Sequence, residues 1–223
     1  MQIKYYEHAH NTETVAMRIS EQTKQETRQR ILATAAELFR DKGFEESTTR
    51  EIAQVAGLAT GTMFNYFPSK ETMAMTMVTD ALHQGADDFR RRRSGREDLT
   101  EELFLLIASG LRRLQSLRPF LGPVLERSLS PFPRKNSCPE GDATRQDHLA
   151  TVQEIIGRHG FTDPPDQVAL TIYWSLYLGI LACWTNDPSP NQEESRALID
   201  YSLRVFVRMI SGTEEEKGAV NAW

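Results

Sequence analysis

The sequence contains little cysteine and no apolar run that would cross a bilayer. Two cysteines among 223 residues are too few for a disulfide framework, and we expect free thiols. The longest apolar stretch, 168–184, is interrupted by Thr171, Ser175 and Gly179, which predicts a buried helix rather than a membrane span. The N-terminus lacks the apolar core of a signal peptide, so we expect a cytoplasmic protein with no membrane partner.

Motifs for catalysis and for metal binding are also missing. The chain has no nucleophile elbow, no phosphate-binding glycine loop and no paired catalytic motif, so we expect neither an enzyme nor a bound cofactor. The histidines are scattered and no Cys/His cluster accompanies them, so no metal site is expected. The residues considered are His8, His10, His83, Asp147, His148 and His159.

Charge of one sign is not concentrated along most of the chain. It has 31 acidic and 26 basic residues and a net charge of −5, whereas proteins that coat DNA without specificity are strongly basic. The stretch 18–71 carries eight residues of each sign. Any DNA binding by this stretch must therefore depend on where individual side chains lie.

One basic run, Arg90–Arg93 followed by Arg96, interrupts this balance. Such a run can form a second nucleic-acid site. Its position at the end of a long predicted helix favours the alternative, in which the arginines stay in solvent and complement the negative end of the helix dipole.

Helical periodicity is present throughout and no strand pattern is convincing, so we predict an all-α fold. From Gln25 onward, apolar residues recur at helical spacing until Gly43, whose backbone freedom favours a helix end. Residues 1–24 lack this periodicity and predict a flexible arm, and the polar stretch 212–223 predicts a loose tail. A chain of this length is expected to form two domains.

The next stretch has the signals of a helix-turn-helix. Thr48 followed by Glu51 fits a capping box, which predicts the start of a short helix, and Gly57 predicts its end. After a tight turn, 61–67 predicts a second short helix, and 68–70 predicts the start of a long one. Two short helices joined in this way indicate a helix-turn-helix unit. The apolar residues expected to face its core are Ile52, Val55, Ala56, Met63, Phe64 and Phe67.

The segments 27–44 (TRQRILATAAELFRDKGF) and 48–71 (TTREIAQVAGLATGTMFNYFPSKE) resemble the DNA-binding domain of the TetR family of transcriptional regulators. The similarity includes the Gly-Thr-x-x-x-Tyr-Phe-x-Ser-Lys run. It implies a three-helix DNA-binding domain at 25–71, followed by a helical effector-binding and dimerisation domain at 72–211. It also implies a homodimer that binds double-stranded operator DNA, more often as a repressor, and that responds to a small-molecule effector.

A recognition helix reads base edges through its N-terminal turn, while hydroxyls, amides and a lysine hold phosphates. The expected DNA-contacting residues are Thr49, Arg50, Thr60, Gly61, Thr62, Asn65, Tyr66 and Lys70. Arg50 is the first candidate for reading a guanine. Two residues depart from the family pattern, because Ala59 stands where a serine often caps the helix and Phe64 where a tyrosine often reaches a phosphate. One backbone contact fewer is expected.

Aromatic residues of the second half predict a cavity for a small hydrophobic or aromatic effector. The candidates are Phe104, Phe120, Tyr173, Trp174 and Tyr177. For each of them taken singly, ordinary core packing is the alternative.

The stretch 193–210 predicts an amphipathic last helix, in which Asp200 and Arg204 can pair four residues apart. Its apolar side, and that of the helix ending at Trp184, is wider than one neighbouring helix would cover. This surplus indicates a four-helix dimer interface about a two-fold axis. The expected interface residues are Leu181, Trp184, Ile199, Leu203, Phe206 and Ile210.

Two other functions stay open at this point. An enzyme or a ligand-binding module could keep a vestigial helix-turn-helix, and such a protein would bind no operator. An architectural DNA protein is the second alternative, which the acidic charge balance disfavours.

Overall fold

The computed structural model describes residues 4–129, 139–161 and 167–211, with side chains described from residue 21 onward. Within these ranges the chain is helical and contains no strand, which confirms the predicted all-α class. The helices are α1 (Lys4–Lys42), α2 (Thr49–Val55), α3 (Thr60–Phe64), α4 (Lys70–Arg92), α5 (Leu99–Leu114), α6 (Arg118–Ser128), α7 (Pro139–Arg158), α8 (Gln167–Asn186) and α9 (Glu193–Ile210), and a 3-10 helix at Pro190–Gln192 precedes α9.

Two helix starts differ from the prediction. Helix α1 begins at Lys4 rather than at Gln25, so most of the predicted arm, 1–24, is helical. This stretch contains no glycine or proline to stop a helix, and its polar composition hides it from a search for an apolar stripe. The stretch 130–142 is rich in proline, glycine and polar residues and predicts a loop, but helix α7 begins within it at Pro139, because proline fits the first turn of a helix. The predicted tail, 212–223, lies outside the described residues.

The chain divides into two compact units, Met1–Ala74 and Met75–Trp223. In the first unit, α1 packs against α2 and α2 against α3. Phe39 at the end of α1 meets Phe44 edge to face, with ring centroids 5.0 Å apart. Gly43 between them has a positive φ of 89°, so the predicted stop of α1 at this glycine is confirmed. The fully buried apolar residues of this unit include Ile31, Ala35, Ile52, Ala53, Met63, Phe67 and Met73.

In the second unit, α9 packs against α5 and α8, and α7 contacts both of those helices. Helices α4 and α5 cross where Gly85 meets Gly110. A methyl group at position 85 would lie 2.8 Å from the Cα atom of Gly110, which is closer than van der Waals contact. Only glycine at position 85 therefore permits this approach of the two backbones.

A buried carboxylate also ties α5 to the end of α7. Glu102 accepts a hydrogen bond from Arg158 at 2.6 Å and lies 2.7 Å from the ring nitrogen of His159. Burial on its own would raise the pKa of Glu102, but these two partners hold it below its ordinary value.

Helix α8 is long and apolar enough to cross a membrane by length and composition alone. The core helix of a globular domain meets the same criterion. Here the large side chains Tyr173, Trp174, Tyr177 and Trp184 are all buried, so α8 supplies much of the core of the second unit.

Candidate functional sites

The helix-turn-helix of the first unit is fixed by its caps. The Thr48 hydroxyl accepts a hydrogen bond from the backbone N–H of Glu51 at 3.2 Å, which confirms the predicted N-cap of α2. Gly57 has a positive φ of 71° and ends this helix in the manner expected of glycine. The recognition helix α3 starts after Ala59, whose methyl group cannot cap it, so its first turn leaves backbone N–H groups available to another acceptor.

Several side chains of α2 and α3 project into solvent together. The exposed residues are Arg50, Gln54, Val55, Gly61, Thr62, Phe64 and Asn65, and the half-buried ones are Thr49, Thr60 and Tyr66. We call this set the recognition surface. The prediction that Val55 and Phe64 face the core is wrong, since 60% of Val55 and 47% of Phe64 is exposed. Val55 lies between the exposed Gln54 and the buried Ala56, and Phe64 follows the buried Met63. In both cases the turn of the helix between neighbouring residues points the side chain away from the core.

Gly61 of the recognition surface has no steric reason to be glycine. Its φ is not positive, and a methyl group built on it would meet nothing within 4 Å. The surface here is bare backbone at the first turn of α3.

Lys70 is engaged inside the first unit. Its ammonium group donates hydrogen bonds to the carbonyl oxygens of Phe44, Glu45 and Ser47 at 2.7, 2.9 and 3.1 Å. It also lies 4.6 Å from the centroid of the Phe44 ring. Its three N–H donors therefore have partners in the turn before α2, and a phosphate contact would have to replace one of them.

Sequence reasoning did not single out Arg28 of α1. Its guanidinium group lies 4.3 Å from the centroid of the Phe67 ring and donates to the Tyr66 carbonyl oxygen at 3.4 Å. Arg28 thus holds the chain that leaves α3 against α1. A single arginine within a polar helical face carries no signal of this role.

The arginine run at the end of α4 is paired with acidic residues. Arg90 lies 2.9 Å from Asp87, Arg91 pairs with Asp88, and Arg93 lies 3.6 Å from Glu102. Three of the five arginines thus have an acidic partner, so the geometry favours the solvated helix end over a second nucleic-acid site.

The second unit contains a cavity of about 350 Å³. It lies between α4 and α7, with α5 and α8 behind. Its lining residues are Leu82, His83, Ala86, Asp87, Arg90, Leu106, Gly110, Thr144, Asp147, His148, Ala150, Thr151 and Tyr177. Of the five aromatic residues predicted to bind an effector, Tyr177 belongs to this lining.

The other four predicted ligand residues lie elsewhere in the second unit. Phe120, Tyr173 and Trp174 are buried, and Phe104 is half-buried. Tyr173 supports the cavity indirectly, because its hydroxyl lies 3.0 Å from Nε2 of His148. The cavity lining also contains polar side chains, among them Asp87, Arg90 and Asp147, which the predicted set of aromatic residues did not include.

His148 lines the cavity, a position that the sequence did not predict. Its imidazole stacks on the Tyr177 ring, with centroids 4.2 Å apart and planes 19° from parallel. Burial among these rings lowers its pKa to about 4, so the ring is neutral at neutral pH. His83 and Asp147, also considered scattered, lie 3.3 Å apart at the same cavity. In the part of the chain that the structure describes, no group of three metal-ligating side chains occurs.

The residues predicted for the dimer interface are also placed differently. Leu181, Trp184, Ile199, Leu203 and Phe206 are each 0–2% exposed within one chain, because α9 packs against α5 and α8 of its own subunit. They therefore form the subunit core, and of the predicted set Ile210 alone keeps partial exposure. The exposed apolar residues of these two helices are Val168, Ile172, Tyr201, Val205 and Met209. The predicted pair of Asp200 and Arg204 is confirmed at 3.0 Å.

Comparisons with known proteins agree with this geometry. Residues 31–75 match the model of the bacterial regulatory proteins of the tetR family. Over 55 residues the chain is 38% identical to the HTH-type transcriptional repressor KstR2 of Mycolicibacterium smegmatis, an alignment that covers 25% of this chain and 27% of that repressor. A longer alignment, with the repressor KstR of Rhodococcus jostii, is 29% identical over 170 residues and covers 74% of this chain and 76% of that protein.

The likeness of fold extends over most of the chain. FadR of Thermus thermophilus, a TetR-family repressor whose crystal structure contains lauroyl-CoA, has a TM-score of 0.62 to this protein at 23% identity. The superposition covers 81% of this chain and 93% of FadR. The N-terminal match and the helix-turn-helix agree, so residues 31–75 form a DNA-binding domain of the tetR family of bacterial regulatory proteins, and the rest of the chain shares the helical architecture of such regulators.

Proposed function

We propose that the protein is a cytoplasmic repressor that binds an inverted-repeat operator as a homodimer and leaves it when a small molecule occupies the cavity of the second unit. The observation that carries the proposal is the recognition surface. Hydroxyl, amide, guanidinium and apolar groups project from two short helices whose opposite faces are buried. This is the arrangement by which a helix-turn-helix reads a major groove.

The chemistry of the recognition surface supports specific rather than general binding. Arg50 is exposed and long enough to reach guanine O6 and N7. The Thr62 hydroxyl and the Asn65 amide offer hydrogen bonds to bases or phosphates. Phe64 has no hydroxyl for a phosphate, but its exposed ring suits the methyl group of a thymine. A net charge of −5 gives little affinity for DNA of any sequence.

The dimer we propose uses the apolar residues that α8 and α9 leave exposed. Tyr201 and Val205 lie one turn apart on α9 and are 70% and 48% exposed, and Met209 follows at 42%. Val168 and Ile172 form a similar stripe on α8. TetR regulators act as dimers, and a second copy of the same face would cover these side chains.

The effector response is supported by the cavity and by the fold of FadR, whose crystal structure contains a bound ligand. Helix α4 supplies five of the cavity residues and also carries Lys70 at its first position. A ligand that binds one state of α4 more tightly than another changes the balance between those states.

Selection from a random double-stranded DNA library with the full-length protein tests this function. We expect an inverted repeat to be enriched, and sedimentation of the complex to show two subunits on one duplex. Enrichment of no sequence would indicate a vestigial helix-turn-helix, and enrichment of a half-site without symmetry would contradict the dimer. Arg40→Ala is a suitable control, because Arg40 is exposed on α1 outside the recognition surface.

A further inference from the structure

We infer that the cavity of the second unit selects a small, uncharged ligand with a hydroxyl or carbonyl group, and that His148 is the residue that hydrogen-bonds this group. The inference rests on the proposed function only in taking the cavity as the effector site. The sequence predicted a hydrophobic or aromatic effector, and the inference restricts this class to ligands with one polar group.

The walls of the cavity set the size and shape of the ligand. A volume of about 350 Å³ is near the lower end for small-molecule sites. Leu82, Leu106 and the bare backbone of Gly110 provide apolar surface. The stacked rings of His148 and Tyr177 provide aromatic surface, with which an aromatic ligand packs well.

His148 supplies the polar contact. Nε2 is engaged with the Tyr173 hydroxyl at 3.0 Å, and the remaining ring nitrogen, Nδ1, belongs to a side chain that lines the cavity. The Tyr173 hydroxyl can either donate to Nε2 or accept from it. Nδ1 therefore carries the proton and donates in the first case, and is an acceptor in the second. The neutral imidazole therefore accepts a bond from a ligand hydroxyl or donates one to a ligand carbonyl.

The charged lining residues argue against a charged ligand. Arg90 pairs with Asp87 at 2.9 Å, and His83 lies 3.3 Å from Asp147. Two carboxylates and one guanidinium thus line the cavity, and an anion would meet no cation that lacks a carboxylate partner. A cationic ligand would have to compete with Arg90 for Asp87 or with His83 for Asp147, and both carboxylates are more than half exposed, so that water screens their attraction. A neutral ligand disturbs neither pair.

Four naphthalene probes of matched shape test the selection by calorimetry on the full-length protein. We expect 2-naphthol to bind, 2-methylnaphthalene to bind more weakly, and the anion 2-naphthoate and the cation 2-naphthylmethylammonium to bind weakest. His148→Leu should reduce 2-naphthol affinity roughly 3- to 10-fold and leave 2-methylnaphthalene almost unchanged, as for the loss of one hydrogen bond. His148→Gln, which keeps a donor and an acceptor, should retain more of the affinity.

A second pair of variants tests whether the probe binds in this cavity, and both substitutions lie outside the core. Ala150 is an exposed lining residue of α7, and Ala143 is an exposed residue of the same helix outside the lining. Ala150→Trp should abolish 2-naphthol binding by filling the cavity mouth, whereas Ala143→Trp should not. Binding that survives Ala150→Trp, equal binding of either charged probe, or no binding of 2-naphthol at all would overturn the inference.

Operator binding separates this inference from the function on which it rests. If 2-naphthol binds in the cavity as described but leaves the protein on its operator, the ligand class stands and the effector response fails. If the protein binds its operator but the probes bind without regard to His148, the function stands and the ligand class fails.

Discussion

The Nζ atom of Lys70 lies 2.7 Å from the carbonyl oxygen of Phe44. Hydrogen bonds from a charged donor are worth about 1.5–3 kcal/mol, and two further carbonyl groups share this ammonium. We therefore expect Lys70→Met to lower the free energy of unfolding by about 2 kcal/mol, measured by urea titration and circular dichroism. Lys42→Met is the matched control, because Lys42 makes an exposed ion pair with Glu51 worth about 1 kcal/mol or less. Weaker DNA binding with unchanged stability would instead support the phosphate contact predicted from the sequence.

Arg50 should determine specificity at one base pair in each half-site. Loss of a bidentate contact to guanine costs about 1–3 kcal/mol, so Arg50→Ala should weaken binding to the selected operator by this amount and relax the preference there. Fluorescence anisotropy with the operator and with a scrambled duplex measures both effects. Equal losses on the two duplexes would assign Arg50 to a phosphate.

At Phe64 a substitution can add a contact to DNA, whereas the Arg50 variant removes one. Phe64→Tyr adds a hydroxyl to an exposed ring, and we expect it to strengthen binding to operator and scrambled duplexes alike, by about 1 kcal/mol for one added hydrogen bond. Phe64→Ala should instead reduce binding to the operator alone. A loss of affinity in the tyrosine variant would indicate that the ring packs against a base with no room for a hydroxyl.

The dimer interface is tested at Val205. Burial of a valine contributes about 1.5–3 kcal/mol, and a two-fold interface contains the residue twice. Val205→Asp should give a folded monomer that binds the inverted repeat poorly, as judged by sedimentation and circular dichroism. Leu203→Asp should unfold the second unit, because Leu203 is 1% exposed within the subunit. A dimeric Val205→Asp protein would place the interface elsewhere.

The half-buried imidazole of His148, which lies among aromatic rings, predicts a pH dependence of stability. Its pKa in the folded protein is about 4, against an ordinary value of 6.5, so between these values the unfolded chain binds a proton that the folded chain does not. The free energy of unfolding therefore falls as the pH falls below 6.5, by at most about 3 kcal/mol at pH 4.

Urea titrations of the native protein and of His148→Gln between pH 7 and pH 5 measure this effect. Over that range Glu102, whose pKa is lowered, stays ionised, and its own contribution is lost only at lower pH. His148→Gln should flatten the dependence. The same slope in the variant and in the native protein would assign the titration to other groups.

The sequence predicted the elements whose causes are local. Thr48 caps α2 and Gly43 and Gly57 end helices, because a hydroxyl cap and a positive φ depend on the residue itself. The paired spacing of Asp200 and Arg204 was readable for the same reason. These features need no knowledge of which helices lie beside one another.

The predictions that were wrong concern features that depend on which helices are neighbours in the fold. The apolar side of α9 is wide because two helices of its own subunit cover Leu203 and Phe206, and a single sequence cannot distinguish that from a second subunit. His148 and His83 are 65 residues apart in the chain, and only the approach of α4 and α7 brings them to one cavity. Polar residues on two separate helices share no sequence periodicity from which their proximity could be predicted.

At Gly61 the requirements of folding differ from the requirements of DNA binding. Glycine within a helix costs about 0.5–1 kcal/mol relative to alanine, and neither its φ nor a neighbouring atom requires it here. Under selection for folding alone, this codon should drift toward residues with a side chain. On the proposed function, the requirement for glycine comes from an operator that occupies the space at the first turn of α3, so the constraint on this position belongs to the DNA partner and not to the fold.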